Sequence, residues 1–123
     1  MKKTLLHFSI ISCLFFSIQS CKKDTSIQDS ETINVTIRSN EDYSFALGKF
    51  GDEEGATIDR QAMHYEISSI IRNPDFVNVT YKYKPSLNYV GTDEVELRSA
   101  RGSDGASPND KIIITTIKFT ITN

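Results

Sequence analysis

Val77-Asn78-Val79-Thr80-Tyr81-Lys82-Tyr83-Lys84 is the stretch that decides the fold. Val77, Val79, Tyr81 and Tyr83 alternate with Asn78, Thr80, Lys82 and Lys84, and a period of two residues sends successive side chains to opposite faces of a half-buried strand. The same period recurs on both sides. Ile33, Val35 and Ile37 alternate with Asn34, Thr36 and Arg38. Near the end Ile113, Ile117, Phe119 and Ile121 line one face against Thr116, Lys118, Thr120 and Thr122, with Ile112 and Ile114 thickening the start of the run. Weaker runs lie at Tyr43 to Phe50, Met63 to Ile71 and Glu94 to Arg98, where Val95 and Leu97 point inward. The expectation is six or seven short strands.

Turn chemistry separates these runs. Gly51-Asp52-Glu53-Glu54-Gly55 carries two glycines, Asn73-Pro74-Asp75 starts a turn with its proline, and Lys84-Pro85-Ser86 ends the clearest strand. The best helical candidate is Ile58 to Ile71, because Asp59 is a capping residue and Ala62, Met63 and Glu66 favour helix. Its tail, Ile67-Ser68-Ser69-Ile70-Ile71, is β-rich and runs into Asn73-Pro74, which leaves at most one helical turn near Asp59 to Met63. Strands punctuated this regularly read as a sandwich or a barrel.

The segment Tyr83-Lys84-Pro85-Ser86-Leu87-Asn88-Tyr89-Val90-Gly91-Thr92-Asp93-Glu94-Val95-Glu96-Leu97 carries a more specific pattern. Tyr83, Pro85, Asn88, Tyr89, Gly91, Thr92, Asp93 and Val95 resemble the signature of bacterial cadherin-like and immunoglobulin-like repeat domains. That resemblance implies an all-β fold, a single immunoglobulin-like (cadherin-like) β-sandwich of six to seven antiparallel strands, with this segment as the corner between two of them. The residue chemistry agrees: Gly91 permits a backbone reversal, Asp93 can accept hydrogen bonds from amides of the turn, and Tyr89 can plug the end of the core. The chain departs from the family where a short turn is usual. Ser99 to Asp110 forms a twelve-residue loop instead.

The N-terminus has a different character. Met1-Lys2-Lys3 is basic, Leu5 to Ile18 is apolar apart from small or weakly polar residues, and Ile18-Gln19-Ser20-Cys21 closes the segment. This is the layout of a secretory signal, too short and too interrupted for a membrane-spanning helix. Its ending resembles the lipobox of bacterial lipoproteins, which implies cleavage before Cys21 and a lipid on that thiol. Residues 1–20 are then the signal peptide and 21–32 a polar tether, reading KKDTSIQDSET from Lys22, too poor in apolar side chains to offset its ordering entropy. Residues 33–123 are the domain. Lys22-Lys23-Asp24 resembles an export signal for the outer face of the outer membrane, so the expected location is an outer-membrane anchor at the cell surface, with a periplasmic domain as the alternative.

Composition narrows the function classes. Without Lys2 and Lys3, 12 basic residues face 16 acidic ones, a net charge of −4, and nucleic acid is not an expected partner. Cys13 lies in the signal and Cys21 at the lipid site, which leaves no pair for a disulfide. His64 is the one histidine after the signal and has no nucleophile in a spacing that suggests catalysis. No cofactor or enzymatic activity is expected.

Binding is the expected role, with the membrane contacted through Cys21. The Ser99 to Asp110 loop offers Arg101, Asp104 and Asp110, and Tyr81, Tyr83 and Tyr89 offer an aromatic surface, for a protein or glycan partner. A loop of that composition is equally that of a plain hairpin tip. Asp52, Glu53 and Glu54 are candidate calcium ligands, but three consecutive acids mostly point apart, which favours a solvated turn. The rival role is that of an assembly subunit pairing through its edge strands with a larger envelope complex.

Overall fold

The computed structural model describes residues 27–75 and 77–123. The signal peptide, Cys21 and the first residues of the expected tether lie outside them. Seven strands follow in order: β1 (Ile27–Arg38), β2 (Tyr43–Lys49), β3 (Gly55–Arg60), β4 (Tyr65–Arg72), β5 (Asn78–Pro85), β6 (Gly91–Arg101) and β7 (Lys111–Thr122). They form two sheets, β1-β7-β6-β3 and β2-β5-β4, packed as a sandwich with no helix among the described residues.

The core is built from the alternation seen in the sequence. Tyr81, Tyr83, Val95, Leu97, Ile117, Phe119 and Ile121 are essentially inaccessible and come from the central strands of both sheets. Each such side chain contributes about 1.5 to 3 kcal/mol by leaving water. The Tyr83 and Phe119 rings stack across the sheets at 4.0 Å, and Tyr43 meets Phe119 edge-on at 5.4 Å. Tyr81 keeps its hydroxyl satisfied through Ser68, 2.7 Å away. Because the Ser68 hydroxyl donates to Gln61 Oε1, Tyr81 is the donor of that pair.

The structure differs from the sequence reading in three respects. β1 begins at Ile27, inside the stretch read as tether, and runs parallel to β7 from the Ile27–Lys111 pair to the Arg38–Thr122 pair. The polar residues 27–32 stay exposed; they are ordered by the ladder with β7, by the Thr115 hydroxyl donating to Glu31 (2.7 Å) and by a long Lys111–Asp29 ion pair (4.0 Å). The strands are therefore not all antiparallel. The third difference is β3, in a region read as turn and possible helical turn: Ile58 is its one inward aliphatic side chain beyond Ala56, and pairing with β6 holds it despite a register shift between Ile58 and Arg60.

The chain order sorts the connections between two ends. At the near end, where β1 begins, lie 50–54, 73–77 and 102–110, joined by Ile27 N–H to the Asp110 carbonyl (2.8 Å) and Phe50 N–H to the Val77 carbonyl (2.9 Å). At the far end lie 39–42, 61–64 and 86–90.

Candidate functional site

The far end is organised by one buried carboxylate. Asp93, on β6, is 7% exposed. Its Oδ1 accepts the amides of Met63 and Glu94, both at 2.9 Å, and its Oδ2 accepts the amide of His64 at 2.8 Å and the Tyr83 hydroxyl at 2.9 Å. Tyr83 also lies 3.2 Å from the His64 carbonyl. Its single proton serves the charged, nearer oxygen better. Burial, and then the adjacent carboxylate, push the Tyr83 hydroxyl pKa far above its ordinary value. The sequence reading aimed Asp93 at amides of its own turn; only Glu94 fits that, and the Met63 and His64 amides come from a corner about thirty residues earlier.

That corner is locked to the 86–90 connection. Ser86 N–H donates to the His64 carbonyl at 3.0 Å, and the His64 ring stacks on Tyr89 at 4.1 Å with a 10° interplanar angle. Tyr89 in turn donates its hydroxyl to the Thr92 carbonyl at 2.8 Å and packs against the core. Gly91, at φ +148°, completes the bend, and a Cβ there would sit 2.8 Å from the Tyr89 hydroxyl. Glycine is required by both conformation and space.

The scaffold displays two kinds of surface. Met63 is 82% exposed, Leu87 81% and Val90 49%, three apolar side chains on two connected loops. Beside them opens a cleft of about 570 Å³ lined by Asn34, Arg60, His64, Thr92, Glu94 and Lys118 among others. Glu94 lies between Arg60 (2.5 Å) and Lys118 (3.5 Å), a charge row that is half in solvent and contributes little to stability.

The near end holds the residues that sequence reasoning singled out for binding: Arg101 is bonded into the scaffold, whereas Asp104 and Asp110 are exposed. Arg101 donates to the Leu47 and Lys49 carbonyls and lies 4.0 Å above the Phe50 ring, tying β6 to β2. Asp104 accepts the amides of Ala106 and Ser107, which hold its carboxyl below the ordinary range. Asp110 crowds Gly102, which sits at φ +84°, and its carbonyl receives Ile27. Glu54 accepts the amides of Gly102 (2.7 Å) and Gly51 (2.8 Å), and these bonds depress its pKa. Asp52 and Glu53 stay exposed, and the described residues contain no group of three or more metal-ligating side chains.

Tyr81 and Tyr83, offered by the sequence as contact residues, are 0% and 1% exposed and belong to the core. The lysines that alternate with them were the signal that their face is the inner one. Leu87 and Val90 were missed because isolated apolar residues in turns carry no periodicity, and Met63 because it reads as the first residue of a strand run, whereas β4 begins at Tyr65.

No family profile matches the chain and no curated protein matches it significantly. Among solved structures it is similar to a cysteine protease inhibitor from Entamoeba histolytica, at 14% identity and a TM-score of 0.50, over 77% of this chain and 97% of that one. At that identity the likeness is one of fold, a two-sheet immunoglobulin-like β-sandwich.

Proposed function

We propose that this chain is a lipid-anchored recognition module of a bacterial envelope, held through Cys21 and presenting its far end to a protein partner. The observation that carries the reading is polarity along the sandwich: β1 enters at the near end against Asp110, while Met63, Leu87 and Val90 project from the opposite end. From Cys21 to Ile27 an extended chain spans about 20 Å. A lipid at Cys21 therefore keeps the 102–110 loop beside the membrane and turns the far end outward. With Tyr81 and Tyr83 in the core, the stacking platform a glycan would use is gone, which favours a protein over a glycan. A non-catalytic role fits the similar solved protein, named as an inhibitor rather than an enzyme, and makes cysteine proteases a partner class to include among the tests.

A photo-crosslinking side chain at Leu87, compared with one at Ser107 in the same cells, tests the reading. Protein adducts at Leu87, lost on Met63→Asp, support it; protein adducts at Ser107 with none at Leu87 overturn it. Cys21→Ser is expected to leave an uncleaved precursor outside the membrane fraction. Protease added to intact cells distinguishes the outer face, where the domain is degraded, from the periplasmic face, where it survives until lysis.

A further inference from the structure

Each sheet has two edges, and all four carry some feature that discourages another strand from pairing there, to different extents. β1 places Asp29 and Glu31 along its exposed half. β2 is bulged between Ala46 and Gly48, and Arg101 occupies its Leu47 and Lys49 carbonyls. β3 is bulged next to Arg60 and bears Asp59. β4 is bulged between Tyr65 and Ile67 and carries Glu66 and Arg72, but between them Ile67-Ser68-Ser69-Ile70-Ile71 is an uninterrupted stretch with no charge and no proline.

The outward row of that segment is Ile67, Ser69 and Ile71, with the isoleucines 41% and 42% exposed. Behind it on β5 stand Lys84, Lys82 and Thr80, paired with those three residues in turn. Lys84 is taken by Glu66 at 3.0 Å. Lys82 is exposed and has no carboxylate partner among the described residues. Neighbouring strands lie about 4.8 Å apart, so a strand added to β4 would run about 10 Å from β5. Between the two isoleucines, the small Ser69 leaves a gap across which a lysine stem can lie and meet a carboxylate on the added strand.

We propose that β4 accepts an extended segment of a partner protein as an eighth strand, whose outward side chains opposite Ile67, Ser69 and Ile71 read apolar, acidic, apolar. Main-chain bonds supply affinity and the Lys82 contact supplies selectivity. Gln61 donates its Nε2 to the Ser68 carbonyl at 3.2 Å while its Oε1 accepts the Ser68 hydroxyl and the Ala62 amide, so an incoming amide has to replace only the Nε2 bond at that carbonyl. The site is separate from the far-end surface, so Leu87 crosslinking and β4 binding succeed or fail independently.

The test titrates the full chain in detergent with two synthetic peptides of about nine residues, a length typical of strands. Both alternate valine and threonine; one carries a central glutamate on its valine face, its twin a lysine. Amide NMR shifts centred on Ile67 to Ile71 are expected, with the glutamate peptide binding about three- to fivefold tighter than its twin, the range of a favourable cross-strand pair. Lys82→Glu, a surface change, should reverse that preference, and Ile71→Lys should weaken both peptides. Absence of binding, shifts centred on the far-end loops, or a preference unmoved by Lys82→Glu would overturn the proposal.

Discussion

The carboxylate of Asp93 accepts the backbone amide of His64 at 2.8 Å, joining β6 to a corner 29 residues away in sequence. With the Met63 and Glu94 amides and the Tyr83 hydroxyl it has four donors, enough to offset the cost of burying a charge. Asparagine would turn an NH2 group toward amides that have nothing to accept. Asp93→Asn is therefore expected to cost about 3 kcal/mol, at the upper end for hydrogen bonds to a charged group. Urea unfolding should show a lower midpoint with an unchanged slope. Disorder would reach the far-end surface first, visible as broadened NMR signals from Met63 and Leu87.

Gly91 and Tyr89 are coupled through space as well as sequence. Gly91→Ala meets the Tyr89 hydroxyl at 2.8 Å and forces an unfavourable φ, with an expected cost of about 2 kcal/mol. Tyr89→Phe removes the nearest atom but leaves the conformational penalty. In that background Gly91→Ala should cost measurably less, and a double-mutant cycle reads the difference as a non-zero interaction energy. Strict additivity would show that backbone conformation alone demands the glycine.

Ser99 to Arg101, read from the sequence as the start of the long loop, are the end of β6, paired with β7 and in part with β3, and Arg101 belongs to the scaffold. Its guanidinium reaches two carbonyls of β2 and covers Phe50, a fork that an ammonium group cannot reproduce. Arg101→Lys is expected to lose about 1 to 2 kcal/mol in chemical denaturation despite keeping the charge. Asp104→Asn keeps an acceptor for the Ala106 and Ser107 amides, and its effect should stay within about 0.5 kcal/mol, as is usual at the surface.

How much of this was legible depends on whether the information was local. β5 and β7 from Thr115 onward are readable because each alternates between core and solvent, and within the weaker Glu94 to Arg98 run of β6 Val95 and Leu97 fall inside as that alternation requires, whereas Ile112 at the start of β7 is buried out of phase. β3 has too few apolar residues to show a period, and the first half of β1 has none to spare: its order comes from the β7 ladder, a partner about 84 residues away that no window on residues 27–32 contains. The site obeys the same rule. The corner residues Tyr89, Gly91 and Asp93 are marked by type and spacing, whereas the pairing of Asp93 with Met63 and His64 is purely tertiary. The engagement of Arg101 with the Leu47 and Lys49 carbonyls is equally tertiary, since sequence lists charges without their hydrogen-bond partners.

Alkaline pH should unfold the domain through its two core tyrosines. Burial pushes the Tyr81 hydroxyl from its ordinary value of 10.0 up to about 12, and Tyr83 further still, for the same reason and because Asp93 lies beside it. A pKa raised by folding contributes stability that is complete below pH 10, where both states are protonated, and is lost as pH rises, since the unfolded chain releases its proton first. Each tyrosine then erodes stability by about 1.4 kcal/mol per pH unit above 10. Melting temperature should fall steeply between pH 10 and 12, with tyrosinate absorbance from the buried pair appearing together with loss of β-sheet circular dichroism. Tyr81→Phe should flatten that slope while leaving the pH 7 to 9 range parallel to the parent. An unchanged slope would show that Tyr81 is not among the groups that carry the alkaline transition.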